Sequence, residues 1–351
     1  MFVNEFQNEG IEMRFLNPIQ STDFAEYNSI GVYVYASLSC WTGIWYATHS
    51  SNLNREGLDM KDSIPWREAP TSHVYYSQRL RLHYVDWGNT AANPMLLVHG
   101  VRDHCHTWDS FARHFAPEYH VVAPDLRGHG DSEWVRGSSY HFLDYVYDLD
   151  QLVLQAEHAP ATVIAHSMGG TLALIFAACF PEKVERLVVI EAIGNWFGRE
   201  EKKTYVERVR DWVGNTRELA GRLPRRYPNL EDSYARMQHA NPHLTPEQAR
   251  HLTVHGSNQN EDGTYSWKYD NYTHAWPAFN VGFDQLIDLW GQITCPVLII
   301  NSTDGFKHRV GQNDTADYFQ NAEVVNIANA GHWTYHDQLD EVVGTIQNFL
   351  G

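Results

Sequence analysis

From about residue 72 onward, short apolar runs alternate with longer stretches whose apolar positions recur at helical spacing. Residues 73–76 and 80–86 read as a strand pair. Residues 95–98, 120–123, 161–165, 187–190, 296–300 and 324–327 are short runs rich in Val, Leu, Ile and Ala, each predicted to be a strand. Helices are predicted over 108–116, 140–157 and 171–178, and an amphipathic one over 337–349 closes the chain. A strand that is apolar at successive positions is buried on both faces. The pattern therefore predicts an α/β fold, a mostly parallel sheet with helices on both sides.

The alternation breaks between residues 195 and 292. That stretch is charged and helix-like at 200–213 and 245–253 and aromatic at 265–276. Thr245-Pro246-Glu247-Gln248 is a helix start, with a Thr cap, Pro at the first position and an acid in the first turn. The expectation is a mainly helical cap (195–292) inserted into a core made of residues 72–194 and 293–351. Residues 1–71 form an N-terminal extension of uncertain role. Within it, Ile30–Thr48 is uncharged and approaches the length of a membrane span. It is rich in Tyr, Ser and Thr, acidic residues precede it without a basic segment, and Val32 to Tyr35 alternates as a strand does. An extra strand or packing arm is the preferred reading over a membrane anchor.

The 351 residues are 43% hydrophobic and 20% charged, an ordinary globular balance. A formal net charge of −17 argues against nucleic acid or an anionic membrane surface as a partner. Cys40, Cys105, Cys179 and Cys295 follow no metal or redox spacing. Free thiols in a cytoplasmic protein are the expectation, with Cys179 a buried small hydrophobe.

The chemistry starts at Ala165-His166-Ser167-Met168-Gly169-Gly170, between a predicted strand and a predicted helix. Small residues two before and two after Ser167 permit a tight strand-to-helix turn that lifts the hydroxyl clear of the backbone. A serine needs a base and a group that orients the base. Downstream, Asp304 follows the strand at 296–300, and His332 lies between the last strand and the last helix. Parallel strands would bring both to the edge that carries Ser167. Glu191, at the end of the strand at 187–190, is the rival acid, whereas Asp337 reads as a first-turn helix charge.

Two further signatures accompany these residues: Leu96-Leu97-Val98-His99-Gly100, and Asp125-Leu126-Arg127-Gly128-His129-Gly130-Asp131-Ser132. With the Ser167 turn, the Asp304 loop and Gly331-His332 in order, the chain resembles the α/β-hydrolase superfamily in its cap-bearing, esterase- and lipase-like branch. Ala165 departs from the glycine usual at that place. The resemblance implies an eight-stranded-type sheet, Ser167 as nucleophile, His332 as base and Asp304 as orienting acid. It also implies an oxyanion hole made by the N–H groups of Met168 and Val101. The expected activity is hydrolysis of small to medium, fairly apolar carboxylic esters through an acyl-enzyme, with no cofactor and no metal. Carbon–carbon bond, lactone or perhydrolytic chemistry would use the same residues, and a non-catalytic binding protein is the more distant alternative. A serine at the turn argues against epoxide hydrolase or haloalkane dehalogenase chemistry, whose relatives carry aspartate there.

His99, Trp196, Trp267, Trp276 and Trp333 are candidate pocket residues; Phe197, Tyr269 and Trp290 add aromatic surface in or near the cap. Asp103-His104-Cys105-His106 carries metal-ligand residue types, but adjacent loop residues rarely converge on one ion. The turn from Asp125 to Ser132 lacks the Gly-Lys-Ser/Thr of a phosphate loop and reads as structural.

Overall fold

A computed structural model describes residues 64–137, 140–194, 203–275, 277–278, 281–312 and 314–351. The chain begins with β1 (Thr71–Ser77), β2 (Leu80–Asp86) and β3 (Asn93–Val98). A 3-10 turn (Cys105–Trp108) then leads into α1 (Asp109–Ala112), followed by β4 (Tyr119–Pro124), α2 (Phe142–Gln155), β5 (Ala161–His166), α3 (Met168–Cys179) and β6 (Val184–Ile190). Next come α4 (Tyr205–Leu219), α5 (Leu230–Ala240), α6 (Pro246–Gly256), the hairpin of β7 (Ser257–Gln259) and β8 (Tyr265–Trp267), and α7 (Phe283–Trp290). β9 (Val297–Ser302), β10 (Ala322–Ile327), α8 (Thr334–Asp337) and α9 (Leu339–Leu350) complete the fold.

Eight strands form one sheet in the order β1-β2-β4-β3-β5-β6-β9-β10. β2 runs antiparallel to both β1 and β4, and every pairing from β4 to β10 is parallel. The near-continuous apolar runs now have a physical cause. Val163 and Ala165 of β5 face one core cluster and Ile164 the other; Leu187 and Val189 of β6 oppose Val188 and Ile190 in the same way. On the first face lie α2, α3 and α7, through Leu149, Leu172, Phe176 and Leu286. On the second lie Trp108, Phe111 and Phe115 with Val342 and Ile346 of α9. Trp108 stacks on Tyr335 with ring centroids 4.3 Å apart. Each such fully buried apolar side chain contributes about 1.5–3 kcal/mol.

Several local expectations change. The helix expected over 108–116 is only α1, because its exit tightens into i−3 bonds from His114 and Phe115 ahead of Pro117. The closing helix breaks at Gln338 (φ −135°) into α8 and α9. In the inserted stretch α5 appears, its N-terminus closed by the Asn229 side chain accepting from Asp232 N–H at 2.9 Å. α6 starts where the sequence places it, with a reciprocal Thr245–Gln248 capping box. α7 lies on the core, and Trp290, expected among the cap aromatics, stacks on Phe319 at 5.4 Å in the interior. Cys179 ends α3 exposed, not buried; Cys105, Cys179 and Cys295 are free thiols. The candidate membrane segment Ile30–Thr48 lies outside the described residues. Among the described residues, no helix is long and apolar enough to cross a membrane.

Because β5, β6, β9 and β10 are parallel, their carboxyl ends share one edge of the sheet. Ser167, Glu191, Asp304 and His332 all follow those ends.

Candidate active site

All six residues of β5 are buried, and the strand stops where Ser167 adopts φ 53° and ψ −121°. That conformation costs a non-glycine residue about 1–3 kcal/mol unless its surroundings enforce it. Here they do. Ser167 N–H donates to Ile190 O at 3.0 Å, and Thr171 N–H closes the first turn of α3 on Ser167 O at 3.2 Å. A Cβ on Gly100 would lie 2.9 Å from Ser167 Cβ, and one on Gly169 would lie 2.4 Å from His99 O, so both glycines permit close approach of backbone. Ala165, where a glycine was the usual residue, fits its methyl into the core cluster on the α3 face.

His332 sits in the turn after β10 with Nε2 2.9 Å from Ser167 Oγ. Two contacts fix that turn. Gly331 N–H donates to Asp337 Oδ2 at 2.7 Å, and His166 Nε2 lies 2.8 Å from the His332 carbonyl. The carbonyl can only accept, so His166 carries its proton on Nε2. Burial, with His332 nearby, pushes the His166 pKa well below the ordinary range and keeps the ring neutral.

Toward the other nitrogen of His332 the structure brings Glu191, not Asp304. Glu191 Oε2 is 3.6 Å from His332 Nδ1, an ion-pair separation longer than a hydrogen bond. The Glu191 carboxylate is 1% exposed and cradled by the loop after β9: Ser302 N–H donates to Oε1 at 2.6 Å and Phe306 N–H to Oε2 at 2.9 Å. Glu191 has φ 46°, a turn that swings its side chain along the edge of the sheet. A Cβ on Gly305 would lie 2.2 Å from Glu191 Oε2, so only glycine leaves room for the carboxylate. Asp304, expected as the orienting acid, is exposed and accepts from its neighbour Thr303 Oγ1 at 3.3 Å. No hydrogen bond or ion pair joins it to His332 among the described residues. The loop that carries Asp304 contributes its backbone to Glu191 instead.

The two N–H groups expected to hold an oxyanion are placed differently in the chain. Met168 heads α3, so its N–H has no acceptor within the helix. Val101 is held through His99. Leu126 N–H donates to His99 Nε2 at 3.0 Å, so the proton sits on Nδ1 and is donated to Gly100 O at 2.6 Å. Across a trans peptide the Val101 N–H points opposite to that carbonyl, so its direction is set by His99. Burial, with His129 beside it, pulls the His99 pKa down to about 3. His99 is therefore not a pocket wall as expected: it is fully buried and both nitrogens serve backbone.

A sequence profile of the alpha/beta hydrolase fold matches residues 93–339, well over half of the chain. The chain belongs to the α/β-hydrolase family. A serine hydrolase-like protein of Danio rerio is 24% identical over 260 residues, 73% of this chain and 75% of that one. Epoxide hydrolase 4 of Mus musculus is 36% identical over 112 residues, which cover 32% of this chain and 31% of that relative. The chain thus matches under a third of that relative's length. The solved thioesterase domain from a curacin biosynthetic pathway superposes with a TM-score of 0.71 at 22% identity, over 80% of this chain and 99% of that one.

This α/β hydrolase also has a small, open recess walled in part by Leu252 and Gly256 of α6. Trp267 and Trp333, two of the expected pocket residues, line it together with Arg102, Met237, Lys268 and Tyr269. Arg102 and Trp333 directly follow Val101 and His332 in the chain, while Ser167 and His332 are not among the residues that line the recess. Trp196 and Trp276, the other expected pocket residues, and Phe197 lie outside the described residues. The Asp125 turn is structural as read: its carboxylate accepts from Cys105 N–H at 2.7 Å and Asp131 N–H at 2.9 Å, and it pairs with His83 at 2.7 Å.

Sequence reasoning missed His166 and Gly305. His166 was visible only as the middle residue of the turn, and Gly305 only as a loop glycine. Two groups of described residues combine three metal-type donors: His83, Cys105 and Asp125, and His106, Asp109 and His255. The first is committed to holding the Asp125 turn, and burial pushes the Cys105 thiol pKa up, away from the thiolate a metal would need.

Proposed function

We propose that this α/β hydrolase is a serine esterase acting on small to medium, fairly apolar carboxylic esters, with Ser167 as nucleophile, His332 as base and Glu191 as orienting acid. The observation that carries the reading is His332 Nε2 at 2.9 Å from the hydroxyl of a serine held at φ 53°. As Oγ bonds to the ester carbonyl carbon, its proton passes to Nε2, and the buried Glu191 carboxylate stabilises the imidazolium. The carbonyl electron pair moves onto oxygen, where Met168 and Val101 N–H groups would receive it at a few kcal/mol per donor. Collapse breaks the bond to the alcohol, which leaves with the Nε2 proton. Water then gives a proton to Nε2 as its oxygen attacks the acyl carbon, and Ser167 departs, reprotonated, from the carboxylic acid.

A serine nucleophile also separates this reading from epoxide opening. Attack of Oγ on an epoxide carbon would leave an ether, which water does not cleave, whereas a carboxylate nucleophile leaves a hydrolysable ester. Support for a fairly apolar substrate comes from Trp267, Trp333 and Met237, in a recess that Arg102, Asp103, His104 and Lys268 also line. The test is fluorophosphonate labelling and a p-nitrophenyl ester series from acetate to palmitate, run on the parent protein and Ser167→Ala. Labelling and turnover in the parent alone support the reading; equal turnover in the variant, or no label on folded parent, overturns it.

A further inference from the structure

We propose that His106, Asp109 and His255 form a binding site for a divalent transition-metal ion of the zinc type, tying cap helix α6 to the core. Nothing in this proposal depends on the chemistry assigned to Ser167. The donors come from two parts of the fold. His106 and Asp109 lie on the 3-10 turn and the first residue of α1, against the sheet. His251 and His255 lie one helical turn apart on α6 and face them.

The distances suit one small ion. One donor atom from each of His106, Asp109 and His255 lies within 4.8 Å of the others. His106 Nδ1 is 3.1 Å from Asp109 Oδ2, close to the roughly 3.3 Å edge of a tetrahedron whose metal bonds are about 2.0–2.1 Å, and the ion would displace the proton that the ring shares with that carboxylate into solvent. The His255 ring stacks on His106 with centroids 4.0 Å apart and is partly exposed; binding one ion through both rings requires His255 to turn out of that stack. No hydrogen bond occupies either nitrogen of His255 among the described residues. The buried Asp109 carboxylate lies within reach of His106 Nδ1 through both oxygens, at 3.2 and 3.1 Å. His251 Nε2 stands 3.3 Å from Asp109 Oδ2 and 3.0 Å from the His106 carbonyl, so its N–H helps hold both proposed ligands in place. Two imidazoles, one carboxylate and an open position select zinc, cobalt or nickel over magnesium or calcium, which prefer oxygen alone.

The ion would act on the recess from behind. Leu252 and Gly256 of α6 line it, as do Asp103 and His104, which lead into the 3-10 turn. Binding would clamp these two walls together.

The test is calorimetric titration of chelator-treated full-length protein with Zn2+, with bound metal counted after gel filtration and thermal unfolding followed. One ion per chain and a Tm rise of about 5 °C at saturating metal are expected. His255→Gln and, independently, Asp109→Asn should weaken binding more than about 100-fold, while exposed His239→Gln leaves it unchanged. Undetectable binding at micromolar Zn2+, or equal affinity in parent and His255→Gln, would overturn the proposal. In a chain with 20 histidines the latter result would place the metal elsewhere.

Discussion

Glu191 and Asp304 occupy matching places in the fold. Each follows the carboxyl end of a buried parallel strand, and the two strands, β6 and β9, are hydrogen-bonded neighbours. Yet one carboxylate is buried against the His332 ring with two backbone N–H groups on its oxygens, and the other is exposed beside Thr303. The loop after β9 makes the difference. It turns its backbone N–H groups inward, and Gly305 leaves the volume that the Glu191 carboxylate occupies. Position at the end of a strand brings an acid to the edge; the neighbouring loop decides whether it enters the site.

Substitutions can break this comparison at several strengths. Ser167→Ala should lower ester turnover by about 10⁴-fold or more, measured as kcat with p-nitrophenyl butyrate, whichever acid serves. Gly305→Ala should follow. Its methyl meets the Glu191 carboxylate at 2.2 Å, so kcat should fall by about 10–100-fold, whereas a change confined to Asp304 would leave Glu191 in place. His166→Leu should cost about tenfold in kcat with KM nearly unchanged, because leucine has no donor for the His332 carbonyl while the recess keeps its walls.

The smallest effect is on pH-dependent stability. Folding depresses the His166 pKa below its unfolded value near 6.5, so the unfolded chain binds more protons in mild acid. The stabilisation from neutral His166 is therefore present above about pH 6.5 and lost as pH falls toward its folded value, by at most about 1.4 kcal/mol per pH unit. Urea unfolding between pH 7 and pH 5 should show a shallower acid loss in His166→Gln than in the parent.

Much of the fold was legible because its strands are buried on both faces and so read as continuous apolar runs, from Val163 and Ile164 to Leu298 and Ile300. Ser167 and His332 were legible because strand–turn–helix context and chain order mark them. The choice between two acids was not. Both Glu191 and Asp304 had the right local setting, and what separates them is a long-range contact between the loop at 302–306 and the end of β6. His99 misled for a related reason: next to the oxyanion loop, a histidine can face the substrate or hold backbone, and only the partners Leu126 N–H and Gly100 O decide. The facing of His106 and Asp109 by α6 was hidden because about 140 residues separate them in the chain.

The most direct test of the account is kcat/KM for Glu191→Gln and Asp304→Asn measured side by side on one p-nitrophenyl ester. Glu191→Gln should fall by about 10³–10⁴-fold, as expected when an imidazolium loses its buried carboxylate, and Asp304→Asn should stay within about threefold of the parent. A large loss in Asp304→Asn with Glu191→Gln near the parent would contradict it.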